Sequence, residues 1–424
     1  MESGSTRLKK NILSLFTLQA FNYLLPLITL PYLVRIIGPE KFGLINFAQV
    51  FITYFIIFTD YGFNLSATKE ISIFRDDKSK VSEIYSAILI LKLLIMILSL
   101  TIFIVLIFTL PMFKDNIYIY ISTFGLVVGN VLFPIWLFQG IERMGYITYM
   151  NMVLKTISTI SIFLLIKKEE DYYLLPLINS ISSILIGIIS LFIVSRVLRI
   201  KLLKISGNEL LRHLKEGWHL FISTIAVSIY TITNTFLLGL IAGNIYVGYF
   251  TAADKITKAL QGILAPVSQA VYPYVIKLFN TNTNGQKSKA FQFLNKYIKI
   301  VTFINVLIFL LVLIFSSDIV HLVLGEQYEN SILILRILSI VPLILSLNHT
   351  FGTLIMIPLN YKKEFARIIV YGSIFNIFLS LWLINVFEAK GTALTIVLTE
   401  TFVTVFMYYF IRRKGILKRG SFNV

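Results

Sequence analysis

The chain has no cysteine and four histidines, and charged residues make up only 14% of its 424 positions. Without cysteine there is neither a disulfide framework nor thiol chemistry. His213, His219, His321 and His349 are scattered and share no ligand spacing, so no metal site is expected from them. A nucleophile motif and a phosphate-cradling glycine loop are also missing. The adjacent acids Asp76 and Asp77 lie in a short basic loop and read as turn chemistry. A membrane glycosyltransferase, polymerase or ligase would call for metal-binding carboxylates or a substantial external loop, so these absences argue against an enzyme.

Apolar surface is abundant instead. Hydrophobic residues make up 57% of the chain and the mean hydropathy is +0.83. A soluble protein of this length could not hide that much apolar surface, whereas lipid solvates it. A bilayer core about 30 Å thick needs roughly 20 apolar residues per helix. Twelve runs meet that length: 11–37, 43–72, 81–110, 117–139, 145–166, 172–195, 217–242, 246–275, 297–321, 331–357, 365–386 and 390–411. The expected fold is an all-α polytopic integral membrane protein, with about twelve transmembrane helices in two six-helix lobes around a central cavity.

The formal net charge of +17 could suggest a nucleic-acid partner. Its distribution says otherwise. Alternate inter-helix segments carry most of the Lys and Arg, and the segments between them carry only Lys41, Lys114, Lys167, Lys168 and Lys390. The positive-inside rule makes the rich set cytoplasmic. Both termini are then cytoplasmic, which requires an even number of spans and agrees with twelve. The first run, preceded by Arg7, Lys9 and Lys10, lacks a small-residue cleavage site and reads as a retained anchor.

The longest loops run about 20 residues, below the size of an independent domain. Residues 1–200 form the expected N-terminal lobe, 201–216 a basic cytoplasmic connector and 217–424 the C-terminal lobe. The connector reads as amphipathic, with Leu202, Leu203, Ile205, Leu210, Leu211 and Leu214 facing lipid. The lobes look like repeats. Gly38-Pro-Glu-Lys-Phe-Gly43 links the first two runs, and Gly243-Asn-Ile-Tyr-Val-Gly248 links the seventh and eighth, at an offset of 205 residues. Such a duplication puts cargo between lobes related by an axis along the membrane normal.

Polar residues interrupt the apolar runs in stripes. The second run carries Asn46, Gln49, Thr53, Asp60 and Asn64, and the eighth carries Thr251, Asp254, Lys258, Gln261, Ser268 and Tyr272, with Lys255 beside it. Spacings of three, four and seven place each set on one helix face. Under the repeat, the two stripes would face one cavity. Asp254 and Lys258 could equally neutralise each other as i,i+4 partners. Intramembrane charge is costly and marks a path for polar cargo or ions. The cations Arg35, Lys92, Lys155, Lys255, Lys258 and Arg336 outnumber the anions Asp60, Asp254 and Glu400. That balance predicts a cationic cavity for an anionic cargo such as a diphosphate. Arg143 sits with Gln139 and Glu142 at the cytoplasmic mouth, as a ligand or a topological anchor. The expected substrate-binding set is Arg35, Asn46, Gln49, Lys92, Arg143, Lys155, Lys255 and Lys258. Asp60, Asp254 and Glu400 are expected to serve proton or cation coupling, with no cofactor.

The segment Leu30-Pro-Tyr-Leu-Val-Arg-Ile-Ile-Gly-Pro-Glu-Lys-Phe-Gly-Leu-Ile-Asn-Phe-Ala-Gln49, followed by Asp60-Tyr-Gly-Phe-Asn-Leu-Ser-Ala-Thr-Lys-Glu-Ile71, closely resembles the opening of Wzx-type O-antigen flippases. Trp136-Leu-Phe-Gln-Gly-Ile-Glu-Arg143 and Ala252-Ala-Asp-Lys-Ile256 are similar to segments of the same family. The resemblance implies membership of the multidrug, oligosaccharidyl-lipid and polysaccharide exporter superfamily. It implies a cargo of undecaprenyl-diphosphate-linked oligosaccharide, moved from the cytoplasmic to the periplasmic leaflet of a bacterial inner membrane by alternating access. A polysaccharide polymerase and a chain-length regulator would be neighbours. Alternatives of the same fold are a lipid II flippase and a cation-coupled drug exporter.

Overall fold

The computed structural model describes residues 4–280 and 284–416. The side chains of Arg7, Lys10 and Ser268 lie outside the described residues. Among the described residues the chain is helical throughout, with no strand. In chain order the helices are α1 (Gly4–Asp60), α2 (Phe63–Phe74), α3 (Lys78–Thr109), α4 (Pro111–Lys114), α5 (Ile117–Leu132), α6 (Ile135–Gly140) and α7 (Met144–Leu165). They continue with α8 (Leu174–Phe192), α9 (Gly207–Ile241), α10 (Asn244–Asn280), α11 (Asn284–Val323), α12 (Ser331–Leu338), α13 (Val341–His349) and α14 (Lys362–Arg413).

Among the described residues, eight helical runs are long and apolar enough to cross a bilayer. Two of them, Leu25–Phe74 and Lys362–Arg413, have 50 and 52 residues and are too long for one crossing. Each contains a kink with non-helical backbone, at Gly38 (φ 68°) and Glu388 (φ 51°) respectively. Each is long enough for two crossings.

Several expected spans are broken. The run 117–139 divides into α5 and α6 at Phe133-Pro134, where Phe133 is extended. Proline disfavours helical backbone in the residue before it. The run 331–357 divides near Ser339-Ile340, ahead of Pro342, and ends in a π-helical stretch over Thr350–Met356.

The chain forms two compact units, Met1–Ser228 and Ile229–Val424. The core of unit 1 gathers Phe63, Tyr85, Trp136, Phe138 and Met150 among its largest members. Helices α5 and α8 pack closely there, and Ser180 and Ser190 donate to the carbonyls of Ser122 and Leu132. Small hydroxyl residues allow that approach and add interhelical hydrogen bonds. The core of unit 2 gathers Phe279, Phe291, Tyr297, Phe351, Met356 and Met407.

The connector differs from its expected form. Leu210 and Leu214 pack on the unit 1 core rather than facing lipid, and the N–H groups of Lys201 and Leu203 donate to Ser82 and Ser86 of α3. Leu202, Leu203 and Leu211 remain exposed. The periodicity of the segment is amphipathic either way. A protein core and a lipid surface present the same apolar demand.

Corresponding positions in the two units behave alike. Gly38 and Gly243 both take positive φ, at 68° and 96°. Ala48 and Ala253 are fully buried, and Asn46 and Thr251 are both 7% exposed.

Candidate functional site

In unit 1, α1 ends at Asp60. Tyr61 (φ 44°) and Gly62 (φ 76°) take left-handed backbone, and α2 starts at Phe63. The helix expected over 43–72 is thus interrupted within its polar stripe. Close packing of α9 accounts for the break. A Cβ on Gly62 would lie 2.8 Å from Leu220 Cβ and 3.0 Å from Phe221 N, and Tyr61 stacks on Phe221 with centroids 4.5 Å apart. Position 62 therefore demands glycine twice, for its φ and for the close approach.

The break leaves the Asp60 carboxylate at the negative end of a helix, where an anion is unfavourable. Lys92 compensates from α3. Its Nζ lies 2.7 Å from Asp60 Oδ1 and donates to Asn130 Oδ1 at 3.3 Å, while Asn64 Nδ2 donates to Asp60 Oδ2 at 3.0 Å. The Lys92 side chain is 1% exposed and that of Asp60 19%. Buried charges of opposite sign, each with further hydrogen bonds, can be tolerated together where neither could stand alone. Two residues expected in different roles, substrate binding and coupling, thus neutralise each other.

Other unit 1 candidates are dispersed. Asn46 is buried and donates to the Phe42 carbonyl at 2.7 Å, so its amide serves its own helix. Gln49 is half-buried, and its carbonyl accepts from Thr53. Lys155 donates to Asn22 Oδ1 at 2.7 Å. Arg35 is exposed near the Gly38 kink, and Arg143 is exposed ahead of α7.

Unit 2 contains a cavity of about 330 Å³. Helix α10 contributes Asp254, Lys258 and Gln261; α9 contributes Asn234 and Thr235; α14 contributes Asn376, Thr399 and Glu400. Asp254 and Lys258, one turn apart, lie 2.6 Å from each other, with side chains 18% and 63% exposed. Glu400 is 8% exposed and accepts from Asn348 Nδ2 at 3.0 Å. Asn376 donates to Thr399 Oγ1 at 3.1 Å, and its buried Oδ1 has no hydrogen-bond partner. The π-helical stretch begins two residues after Asn348, and such irregularities are frequent at functional sites. Lys255 is half-buried on α10 but does not line the cavity.

The wall thus carries two carboxylates and one ammonium. The expected excess of cations is not met in this cavity. Lys92 is held by Asp60, Lys155 by Asn22, and Arg336 donates to Ser316 Oγ at 2.6 Å. Counting charges along the sequence could not reveal these partners, which lie on other helices.

Glu70, His213 and Glu216 bring ligand-type atoms within 4.8 Å of one another where α9 meets α2. The Arg212 guanidinium already lies 3.1 Å from both carboxylates and supplies the positive charge there. His213 Nδ1 faces Glu70 at 3.3 Å, and its Nε2 is 3.1 Å from Arg212 Nη2. The neutral ring fits, donating from Nδ1 and accepting at Nε2. Burial lowers the His213 pKa, Glu70 pulls it back up, and Arg212 lowers it further.

The matching family is described as "Polysaccharide biosynthesis protein" and covers residues 8–279. The chain belongs to this family. A protein of Escherichia coli named "Putative O-antigen transporter" is 34% identical over 418 residues, covering 98% of this chain and all of the relative. A Shigella dysenteriae protein of the same name is 30% identical, covering 94% of this chain and 99% of the relative. Among solved structures, the lipid II flippase MurJ in an inward closed conformation superposes with a TM-score of 0.73 at 15% identity, covering 97% of this chain and 90% of that one. An inward-facing multidrug resistance MATE family transporter of the MOP superfamily gives 0.67 at 16% identity, covering 94% and 96%. The family member described here is a multi-pass membrane protein of the transporter class rather than an enzyme, as the Wzx-type resemblance implied.

Asn130, Asn234, Asn348, Asn376 and Thr399 were not among the expected site residues. Their signal was present as uncharged polar residues inside apolar runs, which is weaker than a charge because such residues also bind helices together.

Proposed function

We propose that the protein is a flippase that carries an undecaprenyl-diphosphate-linked oligosaccharide from the cytoplasmic to the periplasmic leaflet of the bacterial inner membrane by alternating access. The observation that carries this reading is the polar cavity of unit 2, within an apolar helical unit, in a chain 34% identical to a named O-antigen transporter. A diphosphate and its sugars cannot cross bare hydrocarbon, because burying unpaired charge and hydroxyls is prohibitive. A shielded polar track is the physical requirement.

Within the cavity, Asp254 and Glu400 take up a proton or a coupling cation. Asp254 holds Lys258 while ionised. Once it is protonated or occupied, the exposed Lys258 ammonium is released toward anionic cargo, so one event alters both charges. Gln261 and Asn234 offer hydrogen bonds to hydroxyls. A polymerase and a chain-length regulator would receive the product.

Deletion of the gene in its host, with surface polysaccharide and lipid-linked intermediates assayed together, tests the reading. Long surface polysaccharide is expected to be lost while single repeat units accumulate on undecaprenyl diphosphate at the cytoplasmic face. Unchanged polysaccharide with altered drug susceptibility, or arrested cell-wall synthesis, would contradict it.

A further inference from the structure

A second cavity, of about 250 Å³, opens in unit 1. Its polar wall comprises Arg75 and Asp76 between α2 and α3, Lys78 at the start of α3 and Arg143 ahead of α7; Val81 and Ile141 are among its apolar lining. Arg75 is committed to Glu142, 2.7 Å away. Among the described residues, Lys78 and Arg143 form no ion pair. Two uncommitted cations therefore stand against Asp76, whose side chain is fully exposed.

Two backbone outliers border this wall. Glu142 (φ 57°) lies between the lining residues Ile141 and Arg143, and Arg199 (φ 56°) between Leu198 and Ile200. Left-handed backbone is unfavourable for such residues and persists only where the surroundings over-determine it. Here the Arg75–Glu142 bond and the Arg143 N–H donated to the Phe138 carbonyl at 2.8 Å hold the first turn. That turn sets Arg143 on the cavity wall. The surrounding loops are among the basic segments that the positive-inside rule assigns to the cytoplasm.

We propose that this cavity binds the phosphate-bearing head of an anionic lipid in the cytoplasmic leaflet, with Lys78 and Arg143 as its ligands. Charge-assisted bonds from Arg and Lys are the natural recognition of phosphate. While Asp254 and Glu400 are ionised the wall of the unit 2 cavity disfavours such a group, so a diphosphate arriving in the cytoplasmic leaflet needs a first site of its own. That the lipid is the cargo carrier rests on the flippase reading. The phosphate chemistry stands without it.

The test is native mass spectrometry of the full chain titrated with undecaprenyl diphosphate, phosphatidylglycerol or undecaprenol. The variants are Lys78→Gln/Arg143→Gln and the charge-conserving Lys78→Arg/Arg143→Lys, both leaving the Arg75–Glu142 pair in place. The neutral variant should lose about tenfold in affinity for a phosphate-bearing lipid, as expected for removing charged hydrogen-bond donors. Undecaprenol binding should not change, and the charge-conserving variant should hold most of the affinity. Selective loss of undecaprenyl diphosphate binding identifies the carrier. Loss of phosphatidylglycerol binding alone identifies a bulk-lipid site and counts against the carrier, while the cavity's chemistry stands. Unchanged binding of both lipids in the neutral variant, or no binding by the wild type, overturns the proposal.

Discussion

Each unit places an acid and a lysine in contact within its helices, and the two pairs sit in different surroundings. Asp60 and Lys92 come from separate helices, and the lysine is 1% exposed and further bound by Asn130. Asp254 and Lys258 are one turn apart on one helix, line a cavity, and leave the lysine 63% exposed. The first arrangement fixes two helices and has little freedom to respond to a ligand. The second can open at smaller cost, because its lysine is exposed and i,i+4 pairs contribute only about 0.3–0.5 kcal/mol. Intramembrane charge therefore occurs in two settings, and what separates them is whether the charge can be reached.

The sharpest way to break this comparison is to remove one partner from each pair. Lys92→Met leaves Asp60 without its cation and should destabilise the protein by about 3 kcal/mol or more, read as a fall in Tm of the purified chain in detergent. Lys92→Met/Asp60→Leu should recover most of that loss. Asp254→Asn should change stability by less than about 1 kcal/mol yet impair transport. Equal stability losses in the two single variants would erase the distinction.

Next come the glycines. Gly62→Ala meets both the left-handed φ and the Leu220 and Phe221 contacts, so a loss of about 2–3 kcal/mol is expected. Gly243 has a positive φ but nothing within 4 Å of an added Cβ, so Gly243→Ala should cost only about 1 kcal/mol. Equal Tm shifts would mean that α9 does not force the Asp60 break.

The smallest effect is a pH dependence where α9 meets α2. Burial, reinforced by Arg212, holds His213 below its ordinary value. Well above the ordinary value of about 6.5 the ring is neutral in folded and unfolded chains alike. As pH falls below that value the unfolded chain takes up the proton first, so stability declines by up to about 1 kcal/mol per pH unit. Thermal unfolding between pH 8 and pH 5 should show this decline, and His213→Gln should remove it.

Hydropathy made the helical membrane fold legible, because lipid imposes a length on each apolar segment. Intramembrane charges were legible individually. The pairing of Asp60 with Lys92 was not, since 32 residues and a helix break separate them. The break at Tyr61-Gly62 was hidden because its cause, the approach of Leu220 and Phe221, lies far along the chain. Glu400 stood out by its charge, whereas Asn348 and Asn376 became informative only once the fold set them beside Glu400 and Thr399.

The most direct test compares transport, measured as the surface polysaccharide restored to a deletion strain, for Glu400→Gln and Lys92→Met/Asp60→Leu at matched membrane levels. The double variant should restore near-wild-type polysaccharide, and Glu400→Gln should lose at least about tenfold, as expected when a proton-transferring group is removed. Full transport by Glu400→Gln with none by the double variant would place the working site in unit 1 and contradict the division drawn here.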